Sequence, residues 1–260
     1  METNPSSLTE PQPNPRRPIA PVWHTACLLG FILITSVFEY FRNRQLLGNP
    51  ALQEHRVIYM YYAYALAFEW ILAAYVVWGI RRSGVIRLPE LIGGRWNSEM
   101  DALRDAGIAA LGWGCVLVMS VGIQIAIHGG SLEAIARDAE KSRATARFIL
   151  PRTGLQLIIW ILVAVSAGIC EELVFRGYLQ EIFKRWTGMA WLAVVLQALI
   201  FGSAHSYQGI SNMAVITGLG LIFGFLAYWR RSLRPGMILH TGIDSLSGLA
   251  YFVLQRIGRF

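Results

Sequence analysis

Seven apolar runs, each close to the length that crosses a bilayer, constrain this chain more than any other feature. They cover residues 22–41, 57–80, 106–127, 154–183, 189–205, 213–229 and 236–254. A spanning helix needs roughly 20 mainly apolar residues. The fifth and sixth runs are a little short, and the fourth is long and interrupted by charge. Lipid offers no partner to a backbone N–H or C=O, so such segments fold as helices. The predicted fold class is all-α: a polytopic membrane helical bundle with about seven transmembrane helices, or eight with one further short or re-entrant segment.

Composition agrees. Charged residues make up 15% of the chain and apolar ones 55%, whereas a soluble domain carries about a quarter charged residues. The net charge is +7. In a soluble protein that excess would raise nucleic acid as a partner. Here the basic residues gather in loops between apolar runs, where they read as topology-setting charge beside anionic lipid. The predicted partner is therefore the lipid bilayer, with no nucleic acid. The three cysteines, Cys27, Cys115 and Cys170, all lie in apolar stretches without metal-type spacing and are expected to be small buried hydrophobes.

Three regions follow. Residues 1–21 are Pro-rich and polar and are expected to form a disordered cytoplasmic tail. Residues 22–153 hold the N-terminal transmembrane helices and loops. Within them, 131–148 is Ala-rich with mixed charge and reads as a helix on or outside the membrane surface. Residues 154–260 form the core that carries the chemistry. The short basic turns 184–188 and 230–235 and the pair Arg81-Arg82 share one side, which predicts a cytoplasmic N-terminus.

Three polar clusters punctuate that core. They are Glu171-Glu172 with Arg176, the stretch from Phe201 to His205, and the stretch from His240 to Asp244. Ionisable groups inside lipid are costly, and they usually pair or act. The fourth and fifth runs form a hairpin turning near Trp186. At about 1.5 Å per residue, Glu171 and His205 lie roughly 22 Å and 28 Å from that turn. They share a depth. His240 and Asp244 are four apart on one helical face and enter from the same side, so a common pocket open toward the Trp186 turn is expected.

Glu172 and Arg176 are also four apart and can pair within the helix, which leaves Glu171 as a base. A carboxylate beside an imidazole can hold and deprotonate a water. His240 and a protonated Asp244 could then steady an oxyanion. Alternatively, Glu171, His205, His240 and Asp244 are the residue types of a zinc site with an open water position. An ion-pair network that only fixes helix packing is the plainer reading of the first cluster. Glu69 lies mid-span in the second run, where lining the cavity and a structural hydrogen bond are equally open. Glu39 lies near a span end and reads as interfacial. Tyr59 to Tyr64 read as interface belt and packing.

The motifs EExxxR, FxxxH and HxxxD, on three successive apolar runs in this order, resemble those of the CAAX prenyl protease and bacteriocin-processing family, which includes the type II CAAX endopeptidases. The resemblance covers residues 154–254. It implies an all-helical intramembrane endopeptidase acting on a membrane-anchored protein or peptide substrate, in which Glu171 is the water-activating base and His205 its partner. His240 and Asp244 would stabilise the transition state, and Glu172 and Arg176 would be structural support. The eukaryotic CAAX-processing members carry Asn at the last position; Asp244 departs from that pattern. The resemblance leaves zinc or a metal-free Glu/His mechanism open. Other intramembrane proteases are disfavoured. There is no HExxH, Ser245-Leu246-Ser247-Gly248 lacks the first Gly of a rhomboid-type motif, and Gly218-Leu219-Gly220-Leu221 lacks the Asp of a presenilin-type motif. The competing class is a non-catalytic membrane protein: a proton- or cation-coupled transporter, or a bacteriocin self-immunity protein on a protease-like fold.

Overall fold

The computed structural model describes residues 17–47, 55–146 and 149–258, and ten α-helices lie among them. They are α1 (Val22–Leu47), α2 (His55–Ser83), α3 (Leu88–Ile92), α4 (Glu99–Ile127), α5 (Leu132–Ala146), α6 (Gly154–Glu171), α7 (Gln180–Thr187), α8 (Ala190–Ala204), α9 (Ile210–Arg230) and α10 (Arg234–Arg256). No strand occurs among the described residues. Among the described residues six segments are long and apolar enough to cross a membrane: α1, α2, α4, the continuous stretch Gly154–Thr187, α9 and α10. The fifth expected run is the shorter apolar helix α8. The outer face is apolar: Leu111 and Val118 of α4 are each 76% exposed, as lipid-facing side chains should be. The protein is an integral membrane protein.

Local chemistry sets the helix ends. Ser98 caps α4 by accepting from the Asp101 amide, and Thr153 caps α6 with Gln156 reaching back to the Thr153 amide. The α7 helix ends on Lys184 and Arg185, and Gly188 in the left-handed conformation returns its N–H to the Lys184 carbonyl. This is the expected hairpin turn. Gly188 lies as many residues after Glu171 as it does before His205.

The stretch Gly154–Thr187 is not one uniform helix. Residues Glu172–Leu179 form a π-helical segment between α6 and α7, with the Gln180 amide bonded to the Phe175 carbonyl. Such wider turns recur at functional sites. A buried polar knot fastens it to α1. Nε2–H of His24 donates to the Tyr75 carbonyl at 3.0 Å, so Nδ1 accepts from the Tyr178 hydroxyl at 2.8 Å. The Thr25 hydroxyl lies 2.9 Å from the same Tyr178 oxygen. Around it, α6 packs on α2 and α10, α8 on α9, and α4 against α9 and α10. Two embedded amides join helices: Gln180 Nε2 donates to the Gly224 carbonyl and Gln197 Nε2 to the Gly220 carbonyl.

Two expectations need correcting. Residues 1–16 of the predicted tail lie outside the described residues, but 17–21 are held. Ile19 and Ala20 are buried in the main core, Ser83 donates to the Ile19 carbonyl and Arg185 to the Arg17 carbonyl. The apolar side chains just ahead of the first span make that packing favourable. Of the cysteines, only Cys170 is buried; Cys27 and Cys115 are exposed, because the apolar faces of α1 and α4 that carry them point to lipid. The surface helix expected over 131–148 is α5, and 147–148 lie outside the described residues.

Candidate active site

Four of the six predicted site residues, Glu171, His205, His240 and Asp244, line one cavity of about 370 Å³. The other two, Glu172 and Arg176, are sealed beneath it, with side chains 0% exposed. Each residue comes from a helix end or helix face that its sequence sets. Glu171 closes α6, Glu172 and Arg176 lie on the π-helical segment, His205 caps the C-terminus of α8, and His240 and Asp244 sit one turn apart on α10.

Arg176 Nη1 donates to Glu172 Oε1 at 2.9 Å, as the spacing predicts. The same Oε1 also accepts from His240 Nδ1 at 3.1 Å. Sequence reasoning missed this link. With Nδ1–H given to Glu172, His240 turns Nε2 toward Glu171 Oε2 at 3.7 Å and Asp244 Oδ2 at 3.5 Å. A carboxylate that orients a histidine through its far nitrogen fixes both ring plane and tautomer. Gly236 makes the approach possible, because a Cβ there would meet Glu172 Oε2 at 2.8 Å. That glycine, one turn before His240, is the sequence signal that could have disclosed the link. Arg176 is roofed by aromatic rings, with Cζ 4.1 Å from the Phe201 centroid and 5.0 Å from that of Phe223.

His205 faces the cavity from the other wall. Its Nδ1–H donates to the Phe201 carbonyl at 2.8 Å, so in the neutral ring Nε2 carries the free lone pair. Asp244 is placed through its main chain, since Trp160 Nε1 donates to the Asp244 carbonyl at 2.8 Å. The direct polar contact of Glu171 is thus with His240, while His205 shares the cavity.

The cavity does not run toward the Trp186 turn. No residue of α7 or of the turn 230–235 lines it. The lining leads the other way, past Phe68 and Ala65 to Glu39, Tyr61, Tyr64, Tyr207 and Gln208. The reason is packing: Tyr178, Leu179, Ile182, Phe183 and Leu233 close the basic end with a continuous core. Glu39, read as interfacial, therefore lines the cavity and pairs with Arg42. Tyr61 and Tyr64, read as belt residues, line it too, whereas Tyr62 is buried and donates to the Ile149 carbonyl. Glu69 also lines the cavity.

A zinc site would need the ligating atoms of Glu171, His205, His240 and Asp244 to close around a single point. Nδ1 of each histidine is engaged, which leaves each Nε2 able to ligate, but among the described residues no three His, Cys, Asp or Glu side chains are grouped to hold a metal ion. The donor set as it stands does not fit zinc, and no step below runs through a metal.

Comparison with known proteins agrees with the motifs. Neither a curated protein nor a solved structure matches the chain. Residues 153–246, the stretch that holds all three polar clusters, match the model of the Rce1-like family, described as type II CAAX prenyl endopeptidase Rce1-like.

Proposed function

We propose that this protein is an intramembrane endopeptidase that hydrolyses a peptide bond of a membrane-associated protein or peptide with water activated by Glu171 and His205. The observation that carries this reading is the convergence of Glu171, His205, His240 and Asp244 from three separate helices on one largely apolar cavity. The family match over residues 153–246 supports it independently.

The chemistry follows from the orientations. Glu171 Oε2 is buried without a hydrogen-bond partner, so it is an acceptor waiting for a donor. A water on Glu171, held also by the His205 lone pair, loses a proton to the carboxylate as its oxygen attacks the scissile carbonyl. His240 stands where the oxyanion forms. With a proton on both ring nitrogens, Nδ1–H is anchored on Glu172 and Nε2–H points into the cavity as the donor. Asp244 flanks that nitrogen and keeps the ring from turning. The apolar walls exclude bulk water and strengthen each of these interactions.

Glu171→Gln keeps the shape of the side chain and removes the base. Cleavage of a membrane-anchored peptide by the purified protein should fall by about 10²–10⁴-fold, with thermal unfolding in detergent unchanged. His205→Ala should fall in the same direction. Wild-type cleavage in both variants would overturn the mechanism.

A further inference from the structure

Glu69 is a buried carboxyl that the reading above does not use. It lies midway along α2, is 8% exposed, and lines the same cavity as Glu171, His205, His240 and Asp244. Its Oε2 is buried with no hydrogen-bond partner. Its carboxyl shares that space with Glu171, His240 and Asp244, and the Ser166 hydroxyl reaches it. A group that only tied α2 to α6 would spend its polar atoms on that contact. An oxygen that no side chain answers is costly to bury, and here it is turned to the cavity.

Peptide hydrolysis needs a second proton transfer, to the leaving amine, which protonated Glu171 or a separate acid can supply. Glu171 takes a proton from water, and the histidines hold water and oxyanion. The leaving amine still needs a proton, because an amide anion is too poor a leaving group to depart alone. Carboxyls gathered in one low-dielectric space do not all ionise together, so such a set keeps a proton among its members.

We propose that Glu69 is the general acid of this site, giving the proton of its Oε2–H to the leaving nitrogen as the carbon–nitrogen bond of the tetrahedral intermediate breaks. The inference rests on the hydrolase reading. The step balances without a further reactant. Water supplies hydroxide to the carbonyl carbon and a proton to Glu171. The nitrogen takes the proton of Glu69 and departs as the free amine. The proton on Glu171 then passes through cavity water to Glu69, which restores both groups.

A leaving group that needs no proton separates this role from a structural one. Two substrates with the same acyl part, one with a peptide bond and one with a p-nitrophenyl ester at the scissile position, are offered to the full-length protein. Glu69→Gln should cut peptide turnover by about 10²-fold while ester turnover stays near wild type. Glu69→Asp, which keeps an acid on a shorter arm, should lower the peptide-to-ester ratio less. Equal loss on both substrates in both variants, or undiminished peptide cleavage by Glu69→Gln, overturns the proposal. A wild-type chain that cleaves neither substrate overturns the hydrolase reading and this inference with it.

Discussion

Two acid–arginine clusters are buried in this molecule, and they are built on opposite principles. In the first, at the basic end, Asp105 of α4 is 0% exposed in its side chain, and both of its oxygens are answered. Arg230 donates to Oδ1 at 2.6 Å, Trp96 to Oδ2 at 2.8 Å, and Arg234 lies 3.5 Å from Oδ2. The two arginines keep 19% and 16% of their side chains exposed. In the second, Glu172 and Arg176 are both sealed. Glu172 Oε2 and two guanidinium nitrogens, Nε and Nη2, lack partners, and the remaining oxygen is shared by Arg176 and His240. The first cluster is complete and staples the chain ahead of α4 to the turn between α9 and α10. The second is incomplete and aims a histidine. A satisfied polar network fixes a shape, whereas an unsatisfied one keeps capacity for chemistry.

That contrast can be broken by substitution. Glu172→Gln strands Arg176 in an apolar pocket and weakens the hold on His240. Removing one partner of a sealed pair costs about 3–5 kcal/mol, so unfolding in detergent should shift strongly and peptide turnover should fall with it. A variant as stable and active as wild type would erase the distinction between the clusters. Asp105→Asn should cost less, about 1–3 kcal/mol, because Arg230 and Arg234 can turn to solvent. Turnover at the remaining stability should persist, and a catalytic loss as large as that of Glu172→Gln would mean the staple also serves the site. Trp96→Phe removes one donor from Asp105 and leaves the ion pairs. A shift of about 0.5–1.5 kcal/mol in the same unfolding measurement would rank it last, and a larger one would make the indole the keystone.

Much of this was legible in the residues, for identifiable reasons. The spans could be read because apolar length is a one-dimensional property, and the hairpin because only a short basic turn separates the fourth and fifth runs. The Glu172–Arg176 pair could be read because a spacing of four suits an α-turn and a π-turn alike. For the same reason the π-helical segment itself was hidden. Which histidine meets which carboxylate was also hidden, since it depends on the rotation of α10 about its axis, which Gly236 sets by close approach. The direction of the cavity was hidden too. Charge in the turns marks one end of the bundle, but aromatic and aliphatic packing around Tyr178 closes that end.

The shortness of α8 carries a further consequence. Its 15 residues rise about 22 Å, against a hydrocarbon layer about 30 Å deep. His205 and the 3₁₀ turn Ser206–Gln208 after it therefore stop below the headgroups on their side unless the leaflet dips to meet them. Irregular backbone at such depth is tolerated where it borders water, and Tyr207 and Gln208 do border the cavity. The distance of His205 from the basic end of the bundle is thus set by the length of a single helix.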